Sequence, residues 1–153
     1  MGLFSFLFGR LSFSDGEIDL RLANEDMADD ECGIEDGYMF YIYPHGSRRY
    51  AGYVCLRLGE SPALFYLGHI GYRVDAPFRG KHYALKACRL LLPLMRRLGL
   101  HSVSITADAD NLPSRKTCEG LGCRLEGIWP VPAKFRVLCS GSGAKCRYIW
   151  TVD

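Results

Sequence analysis

The chain lacks any apolar run of the roughly 18 residues that a membrane-spanning helix needs, so no membrane span is expected. It also lacks a strong charge of either sign. Its 19 Lys and Arg against 17 Asp and Glu leave +2, too little to argue for nucleic acid or a membrane surface as a partner. No two cysteines are spaced Cys-x-x-Cys and no histidine lies close enough to complete a zinc site, so no metal is expected. Neither G-x-x-x-x-G-K-[ST] nor G-x-G-x-x-G occurs, which argues against a nucleotide-binding module. The apolar start, Met1 to Phe8, has no basic flank or cleavage site and so does not read as a signal peptide. It misses the myristoylation pattern too, because its hydroxyl falls at Ser5 instead of the next position. Packing onto the domain or onto a second subunit is expected of it, and a homodimer stays open on that ground. The seven cysteines are odd in number and scattered, which fits buried, reduced thiols in a cytoplasmic protein.

What is present describes one globular domain. A chain of 153 residues with 48% hydrophobic and 24% charged residues can bury most of its apolar surface. Residues 1–16 read as an apolar extension and 17–153 as the domain. Glu17 to Leu22 alternates as a strand does. Asn24 to Gly37 is acidic; its early part could form a helix, and much of the rest reads as loop. Tyr38 to Tyr43 and Arg49 to Leu58 are expected strands, joined by a turn at Pro44-His45-Gly46-Ser47. Glu60-Ser61-Pro62 breaks the second, and Leu64 to Val74 is expected as the next strand of an antiparallel meander.

A helix from about Lys81 to Leu98 would bury Ala84, Cys88, Leu91, Met95 and Leu98 and keep Lys86, Arg89, Arg96 and Arg97 in water. Gly99 stops it, and Pro93 predicts a kink. Ser102 to Ala107 alternates again. A strand, a helix and a returning strand make a crossover, so this strand should lie parallel to the one before the helix. Asn111 is expected to cap a helix from Leu112 to Gly120, with Pro113 in its first turn. Phe135 to Cys139 and Lys145 to Val152 are expected as a closing hairpin. The expected fold is α/β (α+β): a mixed, mostly antiparallel sheet of six to seven strands, flanking helices and one parallel pair.

The rest is organised around Gly68 to Ala84, which reads as a strand, a proline-bounded turn and a basic, glycine-containing loop opening a helix. The first N–H groups of a helix lack intrahelical partners and its dipole makes that end electropositive, so the layout suits a phosphate-bearing ligand. Within it, Pro77-Phe78-Arg79-Gly80-Lys81-His82-Tyr83-Ala84 resembles the P-x-x-R-G-x-G-x-[GA] acyl-CoA loop of the GNAT superfamily of N-acetyltransferases. Downstream, Asn111-Leu112-Pro113-Ser114 and Cys118 to Gly127 resemble that superfamily's second signature. The nearer likeness is to the branch that includes ribosomal-protein N-terminal acetyltransferases.

The resemblance implies an acyl-CoA N-acyltransferase fold, acetyl-CoA as co-substrate and an amine acceptor, either a protein N-terminus or a small molecule, attacked directly in a ternary complex. It implies that the backbone of Arg79, Gly80, Lys81, His82, Tyr83 and Ala84 holds the pyrophosphate and that Asn111 and Ser114 also contact the cofactor. An N–H from Tyr72, Arg73 or Val74 would meet the oxyanion that forms from the thioester. The acceptor ammonium must lose a proton. His69 stands two residues before Gly71, where the branch often carries a glutamate, and its unperturbed pKa of about 6.5 suits a base; Glu60 and the acidic segment are alternatives. Many members use a tyrosine acid where this chain has Cys118, so Cys118, Tyr72 or water is left to protonate the leaving thiolate. His82 replaces a family glycine. These two departures keep open a second reading, a GNAT-fold protein that binds CoA or a partner without turnover.

Overall fold

The computed structural model describes residues 11–153. The segment Met1 to Phe8, and with it the expectation about its packing, lies outside the described residues. Eight strands make one sheet in the order β1-β2-β3-β4-β5-β6-β8-β7. They are β1 (Ser12–Ser14), β2 (Ile18–Asn24), β3 (Asp36–Pro44), β4 (Gly52–Leu58), β5 (Ile70–Val74), β6 (Ser102–Asp108), β7 (Arg124–Pro130) and β8 (Ala144–Thr151). Every neighbouring pair is antiparallel except β5 and β6. The mixed sheet with one parallel pair is as expected, but it has eight strands instead of six to seven.

Two strand assignments need correction. Leu64 to Val74 is not one strand: Pro62–Leu67 is a helix, α1, and only Ile70–Val74 is extended. The Ser61 hydroxyl accepts from the Leu64 N–H and Pro62 opens the helix, so a local cap overrides an apolar run that periodicity cannot classify. Phe135 to Cys139 is not a strand either. Its amides turn to nearby carbonyls, Phe135 N–H to Pro132 O and Cys139 N–H to Phe135 O, and β8 pairs instead with β7. β7 is an edge strand whose register shifts between Leu125 and Gly127, which erases the alternation that would announce it.

The expected long helix is two. α2 (Tyr83–Leu90) and α3 (Leu92–Arg97) meet at Leu91, because Pro93 has no N–H to continue the ladder and its ring crowds the preceding turn. Cys88, Leu91 and Met95 are fully buried as expected, while Ala84 and Leu98 are half-buried. Lys86 does not stand free in water; it is half-buried and pairs with Glu17. The C-terminal stop holds: Gly99 has φ 77° and Leu100 N–H bonds back to Met95 O. α4 (Leu112–Gly120) matches its expected bounds. The acidic stretch 24–37 forms no helix, because Asn24 and Asp29 side chains capture the Asp26 and Cys32 N–H groups in turns.

Alternation sorts the strands into two faces. Ile18, Leu20, Phe40, Ile42, Val54, Leu56, Ile70, Val103, Ile105 and Tyr148 pack against Ala87, Cys88, Leu91, Leu94 and Met95 of the α2–α3 layer. Each such side chain contributes about 1.5–3 kcal/mol on burial. The other face carries a smaller cluster of Cys32, Ile34, Ala63 and Leu64. There Thr106 Oγ1 donates to the Tyr66 and Leu67 carbonyls and fixes α1 against β6.

Candidate active site

The sheet is incompletely zipped at its parallel seam. Strands β5 and β6 pair only at Ile70 and Ile105. On its other side β5 is bonded to β4 through alternate residues, as the Asp75 N–H to Ala51 O bond at 2.8 Å shows. Alternation therefore turns the N–H and C=O of Tyr72 and Val74 toward β6, where no strand partner meets them. One of these groups is answered by a side chain: Arg79 Nε donates to Val74 O at 2.9 Å.

The loop that follows is held from below. Ala76–Phe78 makes a single 3-10 turn, and Phe78 is buried and stacks with Tyr83, the first residue of α2, at 6.4 Å between ring centroids. From the β3–β4 connection the Arg49 guanidinium lies over the Phe78 ring at 5.0 Å. Gly80 has φ 84° in open space, and His82 has φ 60° and ψ 29° at the N-cap of α2. Histidine thus takes up the left-handed backbone that the corresponding glycine would supply, with its side chain in solvent. Among the described residues, none of the six consecutive N–H groups of Gly80, Lys81, His82, Tyr83, Ala84 and Leu85 donates to a protein acceptor. They cluster at the positive end of the helix dipole beside Arg79 and Lys81, and they fit a pyrophosphate. Arg73 is largely exposed, 3.8 Å from Asp75.

Across the seam, α4 presents its first turn. Asn111 Oδ1 accepts from Ser114 N–H at 3.2 Å, and Ser114 Oγ lies 2.8 Å from the Tyr72 hydroxyl. Burial pushes the Tyr72 phenol far above its ordinary value, with Cys118 adding to the effect. The Cys118 thiol is pushed up as well, first by a hydrogen bond with Cys123 and then by burial. Both groups hold their protons at neutral pH. Tyr72, Ser114 and Cys118 therefore form one protonated cluster on the α2–α4 side.

His69 is elsewhere. It follows α1 on the opposite face, with its side chain only 15% exposed. Ser104 N–H donates to its Nδ1 at 2.9 Å, so the ring proton sits on Nε2, which faces Gly59 O at 3.1 Å and Glu60 Oε1 at 3.0 Å. Both ring nitrogens are engaged, and the outermost member of the pair is Glu60, 82% exposed. Two contributors were not legible in the sequence. Ser104 is one and Arg49 the other; nothing in their local pattern places them beside His69 and Phe78.

The family model for the acetyltransferase (GNAT) domain matches residues 9–124, a span that holds the seam, the loop and α4. The chain belongs to the GNAT acetyltransferases. It is an N-acetyltransferase, with acetyl-CoA as the donor. No curated protein matches the sequence. Among solved structures, the ribosomal-protein-S5-alanine acetyltransferase from Vibrio fischeri superposes with a TM-score of 0.69 at 16% identity, over 94% of this chain and 97% of that one. RimL, a ribosomal-protein alpha-N-acetyltransferase in complex with coenzyme A, gives 0.66 at 18% identity, over 94% and 98%. The self-immunity acetyltransferase MccE, in complex with acetyl-CoA and AMP, gives 0.59 at 24%, over 76% of this chain and 61% of that one. At such identities these likenesses speak for the fold, and for the ribosomal-protein enzymes they do so over nearly the whole of both chains. No helix among the described residues is long and apolar enough to cross a membrane.

Proposed function

We propose that this GNAT protein moves the acetyl group of acetyl-CoA to the N-terminal amine of a protein, by direct attack in a ternary complex. The observation that carries the donor half is the run of six unpaired amides from Gly80 to Leu85 beside the open edge of β5. The amides hold the pyrophosphate, and the backbone of Tyr72 and Val74 that no strand partner meets takes the pantetheine arm along the seam. Their N–H groups lie where the thioester oxygen gains charge, and a fixed donor of this kind is worth about 2.7–4 kcal/mol in the transition state. Arg79, Lys81 and Arg49 add positive charge around the phosphates, while Asn111 and Ser114 hold α4 against the arm.

For the base, the His69–Glu60 pair serves as a unit. His69 gives its Nε2 proton to Glu60 as a hydrogen bond and orients the carboxylate, and Glu60 takes the amine proton, directly or through one water. On the leaving side, Tyr72 and Cys118 are donors whose raised affinity for the proton favours hydrogen-bonding the thiolate over full transfer to it. Positioning supplies much of the rest, as effective molarities worth about 7–11 kcal/mol allow. A protein N-terminus is the acceptor favoured by the likeness to RimL, an alpha-N-protein acetyltransferase, over nearly the whole of both chains. Seven free thiols fit a reducing cytoplasm.

Isothermal titration with acetyl-CoA of the wild type and of an Arg79→Ala, Lys81→Ala variant tests the donor half. Micromolar binding that weakens about tenfold or more in the variant is expected, since two charge-assisted contacts are lost. No binding at millimolar acetyl-CoA would sink the enzyme reading and leave a protein that uses the fold for a partner. A screen of N-terminal peptides against small amines then decides the acceptor class.

A further inference from the structure

Helix α4 ends in a turn whose two closing bonds run from Cys123 N–H to Cys118 O and from Gly122 N–H to Glu119 O, both 3.0 Å, around Gly122 at φ 81°. That geometry presses the side chain after the glycine against one from the last helical turn, a contact usually made by two apolar groups. Here both are cysteines, and the Cys123 side chain is the largest of the causes that push the Cys118 thiol up. Cys118 is fully buried, whereas Cys123 is the one cysteine of the described residues that is only half-buried. Cys118 also adds to the raised pKa of Tyr72, whose hydroxyl meets Ser114 Oγ at 2.8 Å.

We infer that Cys118 and Cys123 are an oxidisable dithiol, closed to a disulfide by hydrogen peroxide, and that closure draws Cys118 off Tyr72 and slows acetyl transfer. The rate effect rests on the proposed function; the bond itself does not. A disulfide needs Cα atoms about 4.4–6.8 Å apart, which the backbone bond between the two residues suits. Accessible Cys123 reacts first. Its sulfur attacks one peroxide oxygen, the O–O bond breaks, and the products are a Cys123 sulfenic acid and water. The Cys118 sulfur then attacks the Cys123 sulfur, the S–O bond breaks, and the hydroxyl leaves as a second water with the Cys118 proton. Two thiols have lost two electrons and two protons, and one peroxide has become two waters. Cys88 is the competing neighbour of Cys118, but it is fully buried and offers the oxidant no path.

The full chain is treated with hydrogen peroxide, its free thiols are counted by alkylation after unfolding, and the linked peptides are mapped. Of seven thiols, two should enter the bond and five remain, with the Cys118 and Cys123 peptides joined and turnover falling severalfold until dithiothreitol restores it. Cys123→Ser should keep the reduced enzyme's turnover and form no disulfide. Seven free thiols after treatment, or a bond joining Cys118 to Cys88, would overturn the assignment. A mapped Cys118–Cys123 bond with unchanged turnover would overturn its link to the site. If the reduced protein transfers no acetyl group at all, the proposed function fails and the rate effect with it, while the thiol count still decides the bond.

Discussion

At position 82 a histidine sits in left-handed backbone, a conformation that costs an ordinary L-residue roughly 1–2 kcal/mol and that histidine tolerates better than most. His82→Gly removes that strain but frees the unfolded chain, so the net stability change should stay within about 1 kcal/mol. Because the imidazole is exposed, titration should show acetyl-CoA affinity changing by less than about threefold; a tenfold rise would mean that the ring obstructs the pyrophosphate. Asp19 offers a second residue-scale test. Burial alone would raise its pKa, but hydrogen bonds from His45, the Gly46 N–H and Ser14 outweigh it and hold the carboxyl at about 2. A depressed carboxylate stabilises the fold above its unfolded pKa of about 3.9, and that contribution is lost as pH falls through the folded value. Asp19→Asn should therefore lower the Tm near neutrality, with the difference from wild type shrinking as pH drops from about 4 toward 2. An equal difference at every pH would assign the effect to shape instead of charge.

Among the elements, α4 was legible to the residue and α1 was missed, for the same kind of reason. Asn111, Pro113 and the Leu121-Gly122 stop bracket a polar segment with its own start and stop chemistry. Around α1 the signals Ser61 and Pro62 are equally present, but six mostly apolar residues read as readily as strand. Asn111→Ala should cost about 1 kcal/mol as a lost cap. It should also raise the KM for acetyl-CoA, because Ser114 is anchored by that cap and meets Tyr72. Chemical denaturation and steady-state kinetics check both; a stability loss with KM unchanged would separate the cap from the site. For Phe135 to Cys139 the β-forming composition lost to local turn bonds, while β7 lacked alternation because of its bulge and edge position.

Over the whole molecule, the halves β1–β5 and β6–β8 share a sheet through one parallel contact, so a cofactor bound in the seam, as proposed, should tie them together. Amide exchange at Tyr72 and Val74 should be fast in the free protein and slow on adding CoA, while that of the β3–β4 ladder changes little. Saturation at about 100 times Kd should also add about 2.7 kcal/mol of stability, read as a rise in Tm. Unchanged exchange at β5 would place CoA outside the seam.

Composition, periodicity and two spaced signatures were enough to determine the fold class, the crossover that makes β5 and β6 parallel, the glycine-containing loop that opens α2 and the capped helix α4. These are local properties, carried by dihedral preference, caps and the period of apolar residues. Tertiary structure alone decided that β5 and β6 part after Ile70, that Ser104 and Glu60 occupy both nitrogens of His69, and that Tyr72 meets Ser114 of α4. Those contacts join residues from 9 to 42 positions apart, and only the sheet order and the packing of α4 on it bring them within hydrogen-bonding distance.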